Sequence, residues 1–205
     1  MKKGKFQNRR NKSFALLLAL VLLIGCVSGG TVAWLISESK TVKNTFVAGQ
    51  IGTLELTETD VDKTYVIVPG TTITKDPKVT YTPKADATNE VKVPAYVFVE
   101  VVNGSWTLGA NNTYSINVEG GEMTWTVAGD WKAVDGYAGV YYIEVDDAVV
   151  EKAIIKDNAI TVSNGVTMGN ITKLAAASDL TFNVYAIQKD SLSVTTAWTT
   201  VKSAS

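Results

Sequence analysis

The chain has 205 residues, 19 basic and 20 acidic, with one Cys and no His. Six of the basic residues, both Arg among them, and the Cys fall within the first 33 positions, leaving 13 Lys against 20 carboxylates in the remainder. That remainder has no imidazole for acid–base work, no thiol nucleophile, no His or Cys ligand for zinc and no guanidinium clamp, and its net acidity makes nucleic acid a poor partner.

Lys2, Lys3, Lys5, Arg9, Arg10 and Lys12 precede an apolar run from Phe14 to Val27 and then the small residues Ser28 to Ala33. This is the order of a secretory signal: basic, apolar, then a small-residue cleavage site. The apolar run would span about 21 Å as a helix, short of a hydrocarbon core of roughly 30 Å. Three fates compete here. Cleavage between Ala33 and Trp34, with Thr31 and Ala33 as the small residues, is the preferred reading. Leu23, Ile24, Gly25 and Cys26 also read as a lipobox, and the uncharged stretch from Phe14 to Ile36 is long enough for a retained anchor. The preferred division is a signal peptide over 1–33, a mature N-terminal strand over 34–48 and a domain over 49–205, with the membrane met only through the signal.

Beyond residue 33, Val and Thr each occur 24 times and Leu seven times, a balance that favours pleated sheet over helix. Residues 34–47 combine apolar ends with a polar, β-branched middle and read as an extended strand. Glu58, Asp60 and Asp62 alternate in LTETDVDKT, a weak calcium candidate lacking EF-hand spacing, as is the cluster Glu144, Asp146 and Asp147. Solvated loops are the plainer reading of both groups, and no cofactor is expected. Thr82 to Glu90 reads as a polar loop. In PAYVFVEVV the alternation sends Ala95, Val97, Val99 and Val101 to the core and Tyr96, Phe98, Glu100 and Val102 to the other face.

Turn signals at Asn103-Gly104, Gly120-Gly121, Gly129-Asp130, Asp135-Gly136 and Asn164-Gly165 separate strands expected over 114–118, 123–128, 138–145 and 180–188. One helix is expected over Ile171 to Ser178. The segment SVTTAWTTV reads either way, and Lys202 to Ser205 are expected to fray. Trp106, Tyr114, Trp125, Trp131, Tyr137, Tyr141 and Tyr142 suit core and cross-strand packing better than a carbohydrate platform. The pattern predicts an all-β domain, a jelly-roll-like β-sandwich with at most one or two short helices.

The junction Gly29 to Glu58, GGTVAWLISESKTVKNTFVAGQIGTLELTE, resembles the signal and mature start of the TasA and camelysin (CalY) family of secreted Gram-positive proteins. The matching positions are Gly29, Gly30, Thr31, Ala33, Trp34, Asn44, Thr45, Phe46 and Gly49. Similarity continues in VPGTTITKDPKV from Val68, in PAYVFVEV, in DWKAVDGYAGVYYIEV from Asp130 and in VYAIQKD. The resemblance implies processing by a signal peptidase of the SipW type, a jelly-roll domain, and service at the cell surface or in a biofilm matrix. Camelysin has been labelled a metalloprotease, but an HExxH site needs two imidazoles and this chain has none.

The expected function is therefore that of a secreted, non-enzymatic structural protein in extracellular fibres. It would associate with itself head to tail, and with other matrix proteins, through strand addition by Trp34, Leu35, Ile36, Val42 and Phe46. The competing reading for that strand is that it folds back on its own domain. The alternative function is a monomeric surface adhesin or glycan-binding module on the same fold.

Overall fold

The computed structural model describes residues 36–40, 46–48, 51–59, 65–84 and 92–204. The expected signal, Cys26, and the residues Ala33, Trp34, Leu35 and Val42 lie outside these segments. The described chain is mostly strand, arranged in three antiparallel sheets. The first runs in the order β1 (Ile36–Lys40), β14 (Thr181–Gln188), β6 (Ala95–Val102), β11 (Val140–Val145), β10 (Lys132–Ala133). The second runs β12 (Val150–Ala153), β5 (Lys78–Pro83), β3 (Gly52–Thr57), β2 (Phe46–Ala48). The third runs β4 (Thr72–Thr74), β13 (Ala159–Val162), β9 (Gly121–Thr126), β8 (Thr113–Val118), β7 (Thr107–Leu108).

Period-two patterning makes these sheets one-sided. In β9 Met123 and Trp125 turn inward while Glu122, Thr124 and Thr126 stay half-exposed, and β3 alternates in the same way around Leu54 and Leu56. The inward residues of all three sheets meet in one main core, which holds Leu54, Val79 and Tyr81 with Val97, Val99 and Val184 and with Tyr114, Ile116 and Trp125. Tyr114 stacks on Trp125 with ring centroids 4.4 Å apart, and its hydroxyl hydrogen-bonds that of Tyr141 at 3.2 Å. Gly52 is required by close approach. A Cβ there would sit 2.7 Å from the Thr82 carbonyl oxygen and from the ring of Tyr81, whose hydroxyl donates to the Ile51 carbonyl. The β8–β9 hairpin closes through Glu119 and Gly120, both at positive φ, as a tight turn matched to strand twist demands.

Two α-helices occur among the described residues. The first, α1 (Met168–Ala177), begins three residues before the expected start, because Asn170, only 2% exposed, accepts from the Thr167 backbone N–H and caps the first turn. The second, α2 (Val194–Ser203), settles the ambiguous SVTTAWTTV segment as helix: Ser193 accepts from the Thr196 N–H, and Ala197, Trp198 and Val201 form a buried stripe. This stripe lies on the outer face of the first sheet, making a second core with Tyr96, Phe98, Val140, Tyr185 and Ile187. Tyr96 and Phe98 are therefore buried as fully as the four residues on the opposite face of PAYVFVEVV.

Two expectations need correction. Lys202 and Ser203 belong to α2 and do not fray, because the helix is held down by its apolar stripe and by an ion pair from Lys202. Thr82 and Pro83 close β5, paired with Thr53 and Gly52, while residues 85–90 of the expected loop lie outside the described residues. No helix of the described residues is long and apolar enough to cross a membrane.

Candidate functional site

The geometry that bears on function is the seam along β14. Phe182, Val184 and Ala186 point into the main core, while Tyr185 and Ile187 point to the opposite face beneath α2. On one side β14 pairs along its whole length with β6, from Thr181 opposite Val102 to Gln188 opposite Ala95. On the other side it pairs with five residues of β1, in the register Ile36–Ile187, Ser37–Ala186, Glu38–Tyr185, Ser39–Val184 and Lys40–Asn183. In this structure the N-terminal strand thus lies on its own domain, the competing arrangement named above, and it does so as an edge strand.

The outer face of the seam carries a polar cluster. Glu100 on β6 accepts from Asn183 Nδ2 at 3.0 Å, from the Tyr185 hydroxyl at 3.0 Å and from Lys202 Nζ at 2.9 Å. Lys202 also donates to the Tyr185 oxygen at 3.1 Å and lies over the rings of Tyr185 and Trp198. Burial alone would raise the Glu100 pKa, but the hydrogen bonds from Asn183, Lys202 and Tyr185 outweigh it and hold the carboxyl below its ordinary value. Burial pushes the Tyr185 hydroxyl up. For Lys202, burial works downward and is overcome by its bonds to Glu100 and Tyr185, so the ammonium is held above its ordinary value. One carboxylate thereby ties β6, β14 and α2 together.

Among the described residues the other sheet edges are blunt. β10 and β7 have two residues each, β2 and β4 three, and β12 four. β12 also carries Glu151 paired with Lys78, and Lys152 paired with Asp130. Short or charged edges resist adding a further strand, whereas β14, beneath the five-residue edge strand β1, is eight residues long and carries mostly buried apolar side chains.

The residues singled out from the sequence are placed as follows. Ile36 lies in β1 opposite Ile187, and Phe46 in β2 opposite Leu54. Glu58 is engaged by Lys75 at 2.6 Å and accepts from the Tyr65 hydroxyl, while Asp60 and Asp62 lie outside the described residues. Glu144 pairs with Lys189 at 2.5 Å, and the backbone carbonyl of Asp147 accepts from Lys92. Asp146 lines an open cavity of about 360 Å³ beside Pro94, Tyr96, Lys189 and Leu192. No group of three or more potential metal ligands occurs among the described residues. Trp106, Tyr114, Trp125, Trp131 and Tyr141 are each 3% exposed or less and belong to the main core, while Tyr137 and Tyr142 pack against the second.

Sequence reading did not find the cluster of Glu100, Asn183, Tyr185 and Lys202. Its one visible signal was Glu100 itself, the single charge inside an eight-residue apolar strand. Comparison with family models, with curated proteins and with solved structures finds no match to this chain.

Proposed function

We propose that this chain is an exported structural protein of the TasA and camelysin kind, a subunit or accessory component of extracellular fibres in which strand addition joins neighbouring copies. In this reading residues 1–33 direct export and are removed by a signal peptidase of the SipW type. Residues 34–48 form the connecting strand, and the rest is a jelly-roll-like β-sandwich without enzymatic activity. The observation that carries it is the position of β1: an N-terminal strand at the edge of the first sheet, laid along an eight-residue β14 that also pairs with β6 over its whole length and is linked through Glu100 to α2. A strand held this way can leave its own β14 and occupy that of a second copy, and repetition of a non-closing contact gives a filament.

Electron microscopy of the exported protein tests this, with N-terminal sequencing of the same sample expected to begin at Trp34. Filaments are expected from the unmodified chain. Ile36→Asp sets a charge opposite Ile187, which is fully buried, at a cost of several kcal/mol if unpaired, and should leave few or none. Normal filaments from a variant whose circular dichroism shows a folded domain would overturn the connector role.

A further inference from the structure

We infer that the β14 edge selects its incoming strand by an alternating chemical pattern, apolar then acidic then basic, and that the occupant it fits in an assembly is the segment 36–40 of a second copy. This rests on the strand-addition reading and specifies its partner.

The pattern is built by the outer face of β14 together with its neighbours. From the C-terminal end of the strand inward, Ile187 offers an apolar surface under α2. Tyr185 comes next, its hydroxyl oxygen bonded by the Lys202 ammonium, so this position presents a cation beside an aromatic ring. Asn183 follows, its amide nitrogen committed to Glu100, which leaves the amide oxygen and the nearby carboxylate as acceptors. Strands in a sheet lie about 4.8 Å apart and directly opposed residues share a face, so an incoming strand meets these three environments at every second residue. Complementarity calls for an apolar residue opposite Ile187, a carboxylate opposite Tyr185 and an ammonium opposite Asn183. The residues in register at those positions are Ile36, Glu38 and Lys40. A shift of one residue brings Ser37 and Ser39 to the register positions of the charged residues, and a shift of two brings Lys40 to the position opposite Tyr185, whose hydroxyl Lys202 already bonds. The edge thus fixes register as well as identity, which uniform backbone pairing alone does not do.

The test uses exported full-length preparations in a Cys26→Ser background. One carries Ser39→Cys and the other Val184→Cys, the two positions being directly opposed in register. Neither copy can form the bond within itself, so a disulfide between them reports strand exchange. The Ser39→Cys copy is then made with Glu38→Lys and Lys40→Glu together, which keeps composition and net charge and leaves the backbone unchanged. In competition for a limiting Val184→Cys acceptor, the exchanged order should be captured about tenfold less. An acceptor that also carries Glu100→Lys and Lys202→Glu should restore its capture. Equal capture of the two strands by the unmodified acceptor would overturn the selectivity while leaving strand addition standing. Failure of the unmodified pair to form the disulfide would overturn strand addition itself.

Discussion

Glu100→Gln is the most informative single change, because it keeps the size of the side chain while removing the charge on which three donors converge. The carboxylate is 22% exposed and its Lys202 partner 44%, so the ion pair is partly screened and contributes about 0.2–1 kcal/mol. The bonds from Asn183 and Tyr185 fall from charge-assisted to neutral strength, a further loss of about 1 kcal/mol together. The expected total is about 1–2 kcal/mol, or roughly 2–8 °C in Tm for a domain of this size. Urea unfolding at neutral pH followed by circular dichroism measures it. The acid dependence supplies a second check with a definite sign. The folded-state pKa of Glu100 is depressed, so its contribution is fully present above the unfolded value of about 4.3 and is lost as pH falls through the lower folded value. The stability gap between the two proteins should therefore close on acidification, with all other carboxylates common to both. Equal midpoints at neutral pH, or a gap that persists undiminished in acid, would refute this account of the brace.

Gly52→Ala should destabilise the domain by about 1–3 kcal/mol, because the new methyl meets the Thr82 carbonyl and the Tyr81 ring at 2.7 Å, and an unchanged melting temperature would contradict the claimed contact. Burial pushes the Tyr81 hydroxyl up to about 12 and raises Tyr114, Tyr141 and Tyr185 as well, so at pH 11 the 295 nm absorbance of the native protein should fall well short of that of all eight tyrosines ionised in denaturant. The matching stability is present below the unfolded value of about 10 and lost as pH rises through the folded values, so Tyr81→Phe should flatten part of the alkaline decline.

Strand content and core-facing residues were legible wherever one face of a strand met the core and turn chemistry marked the ends. Val97, Val99 and Val101 alternate as expected, and Met123 to Thr126 follow the same rule. The second face of β6 was misjudged for a physical reason: its cover comes from a helix roughly 100 residues later whose Thr and Val content argues for strand. What makes that segment helical is tertiary, the docking of Ala197, Trp198 and Val201 on Phe98 and Tyr185, reinforced by a local Ser193 cap. The seam was half legible. Extended character at Ile36 to Lys40 could be read, but its partner could not, since register with β14 depends on contacts roughly 150 residues apart. The Glu100 cluster was hidden for the same reason, its members coming from β6, β14 and α2.

The separation between β1 and β14 also governs time. A chain threaded out N-terminus first releases β1 at the start and β14 near the end, so the first strand to emerge is among the last to find a mate within its own molecule. Closing so long a loop is entropically costly and slow compared with forming the β8–β9 hairpin or pairing β3 with β5. In the proposed strand-addition reading, a neighbouring, already completed domain would compete for the waiting strand throughout that interval. On that proposal, whether copies end as closed monomers or as linked chains would depend on local concentration while the chain folds as much as on the final energies of the two pairings.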